Sequence, residues 1–262
     1  MNKLLHGFLS ALSLVSRIPL RLKAEPDYKS FSLWMPLTGL LAALAAGFGL
    51  WLGRLLFGPG LLCALSALFC QYMLFNLFHF DGLLDSADAA GLAAGDAEKR
   101  RKVLKDPHLG SFALFFGFVY LAARLFALER LVSGHQVLLW GAVFLAPVTG
   151  RYAAALVGIF AKPYAETGLA AMLGQQSAVK ATVGYSAAAV LPAIFYGIQY
   201  GAIGAGAAIL SGGLLALMTS AFVALWYSKN LGGYSGDAMG AAVELAELLV
   251  LLLSSAFLRT SL

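Results

Sequence analysis

The sequence predicts an all-α, polytopic integral membrane protein. Of its 262 residues, 60% are hydrophobic and only 12% are charged, whereas soluble domains average about 25% charged residues. The mean hydropathy is +0.81. A soluble chain of this length could not cover its core with so few charges, so the composition excludes the soluble globular class.

Seven apolar stretches are long enough to cross a bilayer, which takes about twenty residues. The predicted spans are 32–53, 60–79, 110–129, 136–160, 181–200, 203–226 and 238–258. Glycine-containing turns separate neighbouring spans at 53–60 and 200–204. Segment 4–20 contains His6 and Arg17, and we predict an interfacial or re-entrant helix there. No separate soluble segment is apparent, so residues 1–262 are predicted to form one integral membrane domain.

Positive charges are unevenly distributed over the predicted loops. With loops assigned alternately, fourteen Lys and Arg residues fall on one side and four on the other. Because cytoplasmic loops carry an excess of Lys and Arg, the N-terminus is predicted to be cytoplasmic and the C-terminus external. The net charge of +5 is modest, so no nucleic-acid surface is predicted. Cys63 and Cys70 lie about 10 Å apart along one helix, too far for a disulfide.

Three of the thirteen acidic residues, Asp81, Asp85 and Asp88, fall within eight positions after the second predicted span. On an α-helix, positions i, i+4 and i+7 share one face, and like charges on one face repel each other. A hard divalent cation such as Mg²⁺ would relieve this repulsion, because carboxylate oxygens suit it. The triplet therefore predicts a Mg²⁺ site able to bridge a diphosphate. The alternative is a solvated beginning of a cytoplasmic loop.

Two further stretches on the predicted cytoplasmic side carry candidate residues. Asp106 and His108 flank a proline at the entry to the third span, where polar groups can meet a ligand at the positive end of a helix dipole. Arg151 lies in the fourth span and needs a partner there. A phosphate is one option, and snorkelling to the interface is the other. Lys162 follows in a polar, glycine-containing segment that we interpret as a substrate-facing loop.

A last stretch, 231–247, combines a glycine-rich turn with acidic residues. The turn offers flexible backbone whose N–H groups can approach a phosphate closely, through Gly232, Gly233 and Gly236. Asp237, Glu244 and Glu247 share one helical face. Glutamates within a span are costly unless they face a polar cavity or pair with Arg or Ser on a neighbouring helix. Both possibilities remain open for Glu247, and Asp237 is a candidate metal ligand.

Together these stretches resemble the cobalamin synthase family, the adenosylcobinamide-GDP ribazoletransferases. The resemblance rests on ordered motifs that include Met-Pro-Leu-Thr-Gly-Leu at 35–40, His-Phe-Asp-Gly-Leu-Leu-Asp-Ser-Ala-Asp at 79–88 and Lys-Asp-Pro-His-Leu-Gly at 105–110. It continues through 8–20, 150–151, 162–169 and 231–247. The resemblance implies a Mg²⁺-dependent membrane enzyme that joins adenosylcobinamide-GDP to α-ribazole, or to its 5′-phosphate, and releases GMP. It also implies membrane lipid and other cobalamin-assembly enzymes as partners.

Roles for individual residues follow from this resemblance. The implied Mg²⁺ ligands are Asp81, Asp85, Asp88 and Asp237. The implied catalytic residues, which hold the diphosphate or accept the ribazole hydroxyl proton, are Asp81, Asp85, Asp106 and Arg151. The implied substrate-binding residues are Arg17, His108, Lys162, Gly232, Gly233, Gly236 and Glu244.

Two alternative functions remain from the residues alone. A phosphatidyltransferase-like enzyme acting on a CDP-alcohol would also use aspartates and Mg²⁺ at a membrane face. Its signature, however, needs Ala-Arg soon after the Asp-Gly pair and a second acidic arm, and neither follows Gly82. A transporter would use Arg151, Glu244 and Glu247 as a path through the membrane.

Overall fold

The structure is a computed structural model that describes residues 3–92, 97–174 and 176–257. Residue 258 of the last predicted span and Arg259, one of the four charges assigned to the external side, lie outside these ranges. The described residues contain ten α-helices and no β-strand longer than an isolated bridge. The helices are α1 (Lys3–Val15), α2 (Phe31–Phe57), α3 (Leu61–Gln71), α4 (Leu77–Gly91), α5 (Ala97–Val103), α6 (Ser111–Ser133), α7 (Gln136–Phe160), α8 (Leu169–Leu173), α9 (Ala178–Leu231) and α10 (Gly236–Phe257). The all-α prediction is confirmed.

Six of the described helical segments are long and apolar enough to cross a membrane. One of them, α9, has 54 residues and would be about 80 Å long if straight, against a hydrocarbon core of about 30 Å. Gly201 interrupts it with φ 69° and ψ −169°. The Tyr185 hydroxyl donates to the Ile209 carbonyl oxygen at 2.7 Å, which requires the two halves to run antiparallel. The described residues therefore contain seven helical segments of spanning length, and the break lies in the predicted turn at 200–204.

The N-terminal helix α1 is too short to span a bilayer. Its 13 residues extend about 20 Å. After α1 the chain folds back, and the Arg17 N–H donates to the Leu74 carbonyl oxygen at 2.8 Å. The returning segment is held where the Asp27 N–H donates to the Ser10 hydroxyl at 3.0 Å. This agrees with an interfacial or re-entrant helix.

Helix α7 forms the centre of the bundle. In its most apolar 18-residue window, 83% of the residues are buried, and it packs against α2, α9 and α10. Close approach is possible because Gly39 of α2 has no side chain: a Cβ there would lie 2.7 Å from the Val148 Cα. On the outside, α6 exposes 72% of Phe115 and 73% of Phe118, as expected for a surface in contact with lipid.

Candidate active site

The aspartate triplet lies on a helix that continues directly out of the second span. A π-helical segment, Tyr72–Asn76, joins α3 to α4, so the chain is helical without interruption over Leu61–Gly91. We predicted the span to end at residue 79, but the helix runs on to Gly91. Asp81, Asp85 and Asp88 therefore share one helical face, which confirms the predicted spacing. Asp81 is exposed and the other two are partly buried.

Two glycines bring α4 and α10 into backbone contact beside this face. A Cβ on Gly82 would lie 2.8 Å from the Asp237 Cα, and one on Gly240 would lie 2.8 Å from the His79 carbonyl oxygen. The contact carries Asp237 to the aspartates of α4, and its charge interacts with those of Asp81 and Asp85. The structure thus joins one residue from stretch 231–247 to two residues of the triplet.

The carboxylate oxygens of this acidic face are suited to bind a hard cation. Among the described residues, no Lys, Arg or His nitrogen lies within 4.0 Å of the carboxylates of Asp81, Asp85 or Asp237. No group of three His, Cys, Asp or Glu side chains in these same ranges converges as a metal cluster. Mg²⁺, however, is usually held by one or two carboxylates together with substrate phosphates and waters. The residues present therefore fit a Mg²⁺ ion that arrives with a diphosphate.

Asp88 makes a different set of contacts from its two neighbours. Its Oδ2 accepts from the Gly110 N–H at 2.7 Å, and its Oδ1 accepts from the Ala113 N–H at 2.9 Å. Both donors belong to the N-terminus of α6, whose first N–H groups have no partner within the helix. Asp88 therefore caps α6. Its predicted role as a metal ligand stays a prediction, and both of its oxygens are already engaged.

The loop before α6 holds Asp106 and His108 as an exposed pair. The Asp106 Oδ1 accepts from the His108 N–H at 3.0 Å and lies 2.7 Å from the His108 Nδ1. These two hydrogen bonds, first the backbone and then the ring, lower the pKa of Asp106 below its usual value. Because a weaker base accepts a proton less readily at neutral pH, this lowered pKa makes Asp106 poorly suited to act as the general base.

The glycine turn is tied to the loop that contains Lys162. The Tyr234 N–H donates to the Lys162 carbonyl oxygen at 2.9 Å, and the Tyr164 N–H donates to the Tyr234 carbonyl oxygen at 3.2 Å. Gly232 and Gly233 have φ values of 79° and 154°, a region that favours glycine. They turn the chain from α9 into α10, where Gly236 is the first residue. The Lys162 side chain is exposed, with no ion-pair partner within the described ranges.

Arg100 and Arg101 of α5 fasten the same end of the bundle. The Arg101 guanidinium donates to the Leu231 carbonyl oxygen and lies over the Tyr164 ring, 5.2 Å from its centroid. Arg100, which is buried, donates to the Ala89 and Leu92 carbonyl oxygens. These contacts join α5 to α4, α9 and the Lys162 loop. The stretches 79–88, 105–110, 162–169 and 231–247 are therefore connected to one another.

Arg151 and Glu247 lie deeper, in a buried ionic network. The Arg151 Nη1 bonds to the Glu247 Oε1, and the Arg151 Nη2 donates to the Asn76 Oδ1 at 2.7 Å. The Arg124 Nη2 bonds to the Glu247 Oε2. All three charged side chains are at most 1% exposed. The partner that Arg151 needs within the membrane is thus Glu247, and the geometry favours a structural role for both residues over contact with a diphosphate.

Glu244 completes the network one turn earlier on α10. Its Oε2 accepts from the Tyr72 hydroxyl at 2.5 Å and from the Tyr120 hydroxyl at 2.6 Å. The same oxygen lies 3.0 Å from the Arg124 Nη1. Two arginines and two glutamates balance in charge, so the buried network is neutral. The predicted substrate contact of Glu244 stays a prediction, and this side chain is fully buried among protein groups.

Some of these residues were missed by sequence reasoning. Arg124 is the one charged residue within the apolar stretch 112–128 of α6, and that isolation could have marked it as a buried partner. Asn76 and Tyr120 carried no comparable pattern. Arg17, predicted to bind substrate, has an exposed side chain. Its backbone contacts Leu74, about 10 Å along the helix from Asp81.

The fold and the site define a polytopic membrane protein with an acidic, partly exposed face where its helices α4 and α10 meet. A family model described as Cobalamin-5-phosphate synthase matches residues 7–255, and the chain belongs to that family. It is therefore a transferase of cobalamin biosynthesis. This membership favours the enzyme over the transporter hypothesis.

Relatives support the same assignment. A protein named adenosylcobinamide-GDP ribazoletransferase from Pseudomonas entomophila is 36% identical over 257 residues, covering 93% of this chain and 96% of the relative. Proteins of the same name from Pseudomonas aeruginosa and Novosphingobium aromaticivorans are 34% and 30% identical. They cover 96% and 93% of this chain, and 98% and 93% of their own lengths. No solved structure matches the chain.

Proposed function

We propose that this enzyme joins adenosylcobinamide-GDP to α-ribazole, or to α-ribazole 5′-phosphate, and releases GMP with the aid of Mg²⁺. The observation that carries the proposal is the acidic face formed where Gly82 of α4 meets Asp237 of α10. Asp81 and Asp85 lie on that face without a cationic side chain within 4.0 Å in the described part of the chain. The names of the relatives support the choice of substrates.

In the proposed reaction, a ribose hydroxyl oxygen attacks the phosphorus bonded to the cobinamide. A new P–O bond forms, the bond from that phosphorus to the GMP oxygen breaks, and the hydroxyl proton passes to a carboxylate. We assign the proton to Asp81 or Asp85, because Asp88 is engaged as a cap and the pKa of Asp106 is lowered. The exposed Lys162 would hold the diphosphate. When bound, Mg²⁺ would neutralise charge on the phosphates.

The acidic face is proposed to lie on the cytoplasmic side of the inner membrane. The fourteen-to-four distribution of Lys and Arg supports this orientation. Adenosylcobinamide-GDP is also large and charged, so it is available to the enzyme only from an aqueous compartment. An impermeant thiol reagent applied to cysteine variants of loop residues would report the side directly. Labelling of a Lys162→Cys variant from outside intact cells would contradict the proposed orientation.

The decisive experiment measures GMP release by the purified enzyme in lipid nanodiscs. Asp81→Asn and Asp85→Asn are each expected to lower the rate by about 100-fold or more, the range associated with losing a general base. Asp27→Asn is the matched control, because its Oδ1 accepts the Lys29 N–H in the loop before α2. Near-normal rates for both α4 variants would refute the assignment. Release that persists after chelation of divalent cations would refute the role of Mg²⁺.

A further inference from the structure

A cavity lies beside the acidic face, between α1, α2, α4 and α10. Its volume is about 320 Å³, near the lower end of small-molecule pockets, which span roughly 300–1,000 Å³. Most of its wall is apolar, with Val15, Phe31 and Met35 on one side. Its polar side chains are those of His79 and Asp237. An apolar space with two polar groups at one side suits a ligand that is itself mostly apolar.

His79 is the unusual member of this wall. The side chain is 8% exposed, and its Nε2 is buried without a hydrogen-bond partner among the described residues. A buried polar group left unpaired is unfavourable. A partner supplied by a bound molecule would remove that cost.

The described part of the chain offers the His79 Nε2 no such partner. The chain passes closest at Gly240, which has no side chain, and a Cβ there would already lie 2.8 Å from the His79 carbonyl oxygen. The nearby buried cation, Arg151, is committed to Glu247 and Asn76. The apolar side chains of the cavity wall carry no hydrogen-bond donor or acceptor that could pair with the imidazole. His79 lines the cavity, and no described side chain hydrogen-bonds its Nε2, so a bound molecule would have to supply that partner.

We infer that this cavity binds the acceptor nucleoside of the reaction, with His79 as a hydrogen-bonding partner and the apolar wall around its aromatic base. This inference rests on the proposed function. The size of the cavity decides between the two substrates, because a corrinoid nucleotide is several times larger than a nucleoside. Asp237 lies on the same wall and interacts with the charge of Asp81. A nucleoside held here has its ribose next to the acidic face, where its hydroxyl is deprotonated.

Binding of α-ribazole without the second substrate tests the inference. We expect His79→Ala to weaken binding about two- to twelvefold, as for the loss of one neutral hydrogen bond. His79→Gln keeps an amide that can donate and accept, so it should lose less. Adenosylcobinamide-GDP should bind all three proteins within about twofold. Titration calorimetry in nanodiscs, with melting temperatures measured with and without α-ribazole, provides readouts that do not depend on turnover.

Two further variants keep the test decisive. Val15→Phe fills the cavity from α1 and leaves His79 unchanged, so it should also weaken α-ribazole binding. This variant keeps the test informative if a His79 variant folds poorly. His135→Ala, at an exposed position in the turn between α6 and α7, is the matched control and should bind normally. Unchanged α-ribazole affinity in both His79→Ala and Val15→Phe would overturn the inference. A wild-type enzyme that neither binds α-ribazole nor releases GMP would instead overturn the proposed function.

Discussion

Replacement of Glu247 by Gln should strongly destabilise the fold. The carboxylate of Glu247 is fully buried and contacts both Arg124 and Arg151, while Gln71 donates to it at 2.9 Å. The amide keeps the volume but removes the negative charge, which leaves two buried guanidinium groups facing only Glu244. Breaking a buried ion pair from one side costs about 3–5 kcal/mol. At about 2–4 °C per kcal/mol, the melting temperature should fall by roughly 6–20 °C.

Thermal unfolding in detergent micelles, followed through the fluorescence of the four tryptophans, measures this change. Glu166→Gln is the matched control, because Glu166 is exposed and should change stability by less than about 0.5 kcal/mol. The double variant Arg151→Met/Glu247→Gln restores the balance of charge and should be more stable than Glu247→Gln alone. Melting of Glu247→Gln within about 2 °C of wild type would refute the reasoning, since that corresponds to at most about 1 kcal/mol.

Three further predictions concern the acidic face. Gly82→Leu should lower GMP release at least about tenfold, because the new side chain must separate α4 from α10. Gly206→Leu is the control and should be neutral, because a Cβ at that position meets nothing within 4 Å. Equal rates of GMP release for the two variants would contradict this prediction. Asp88→Ala should lower the free energy of unfolding by about 0.5–2 kcal/mol through loss of the α6 cap, and an unchanged melting temperature would show that it is not a cap. Asp106→Asn should lower GMP release less than about tenfold, because His108 lowers the pKa of Asp106 and losing a true general base typically costs about 10²–10⁴-fold. A larger loss in the same assay would instead indicate that Asp106 is the general base.

The spans were predictable because their causes are local. Twenty apolar residues in sequence have few alternatives to a membrane helix, and the glycine at 201 could be recognised as a break from its neighbours alone. The predicted span ends at residue 79 because charged residues follow the apolar run, although the spacing of those residues already indicated a helix beyond it. Those same residues are compatible with helix, and the helix continues past the apolar segment with Asp81, Asp85 and Asp88 on one face.

The site was predictable only where one element determines it. The shared face of Asp81 and Asp85 follows from helical periodicity. The contacts of Asp88 depend on backbone N–H groups 22 and 25 residues away, and those of Glu247 depend on helices that only tertiary packing brings together. For the same reason, Arg151 could be recognised as needing a partner, but the choice between a phosphate and Glu247 could not be made.

The π-helical segment Tyr72–Asn76 sets the rotational phase of the aspartate helix. Its ring is closed by a bond from the Leu77 N–H to the Tyr72 carbonyl oxygen, five residues back, so one residue more than in an α-helical turn is accommodated. Each residue of an α-helix turns the chain by about 100°. Deleting one residue here would swing Asp81 and Asp85 by about that angle relative to α3. It would also remove the local irregularity next to the Leu74 carbonyl oxygen, which accepts the Arg17 N–H. The one additional residue of this segment therefore sets the direction of the acidic face and lies where the N-terminal segment is attached.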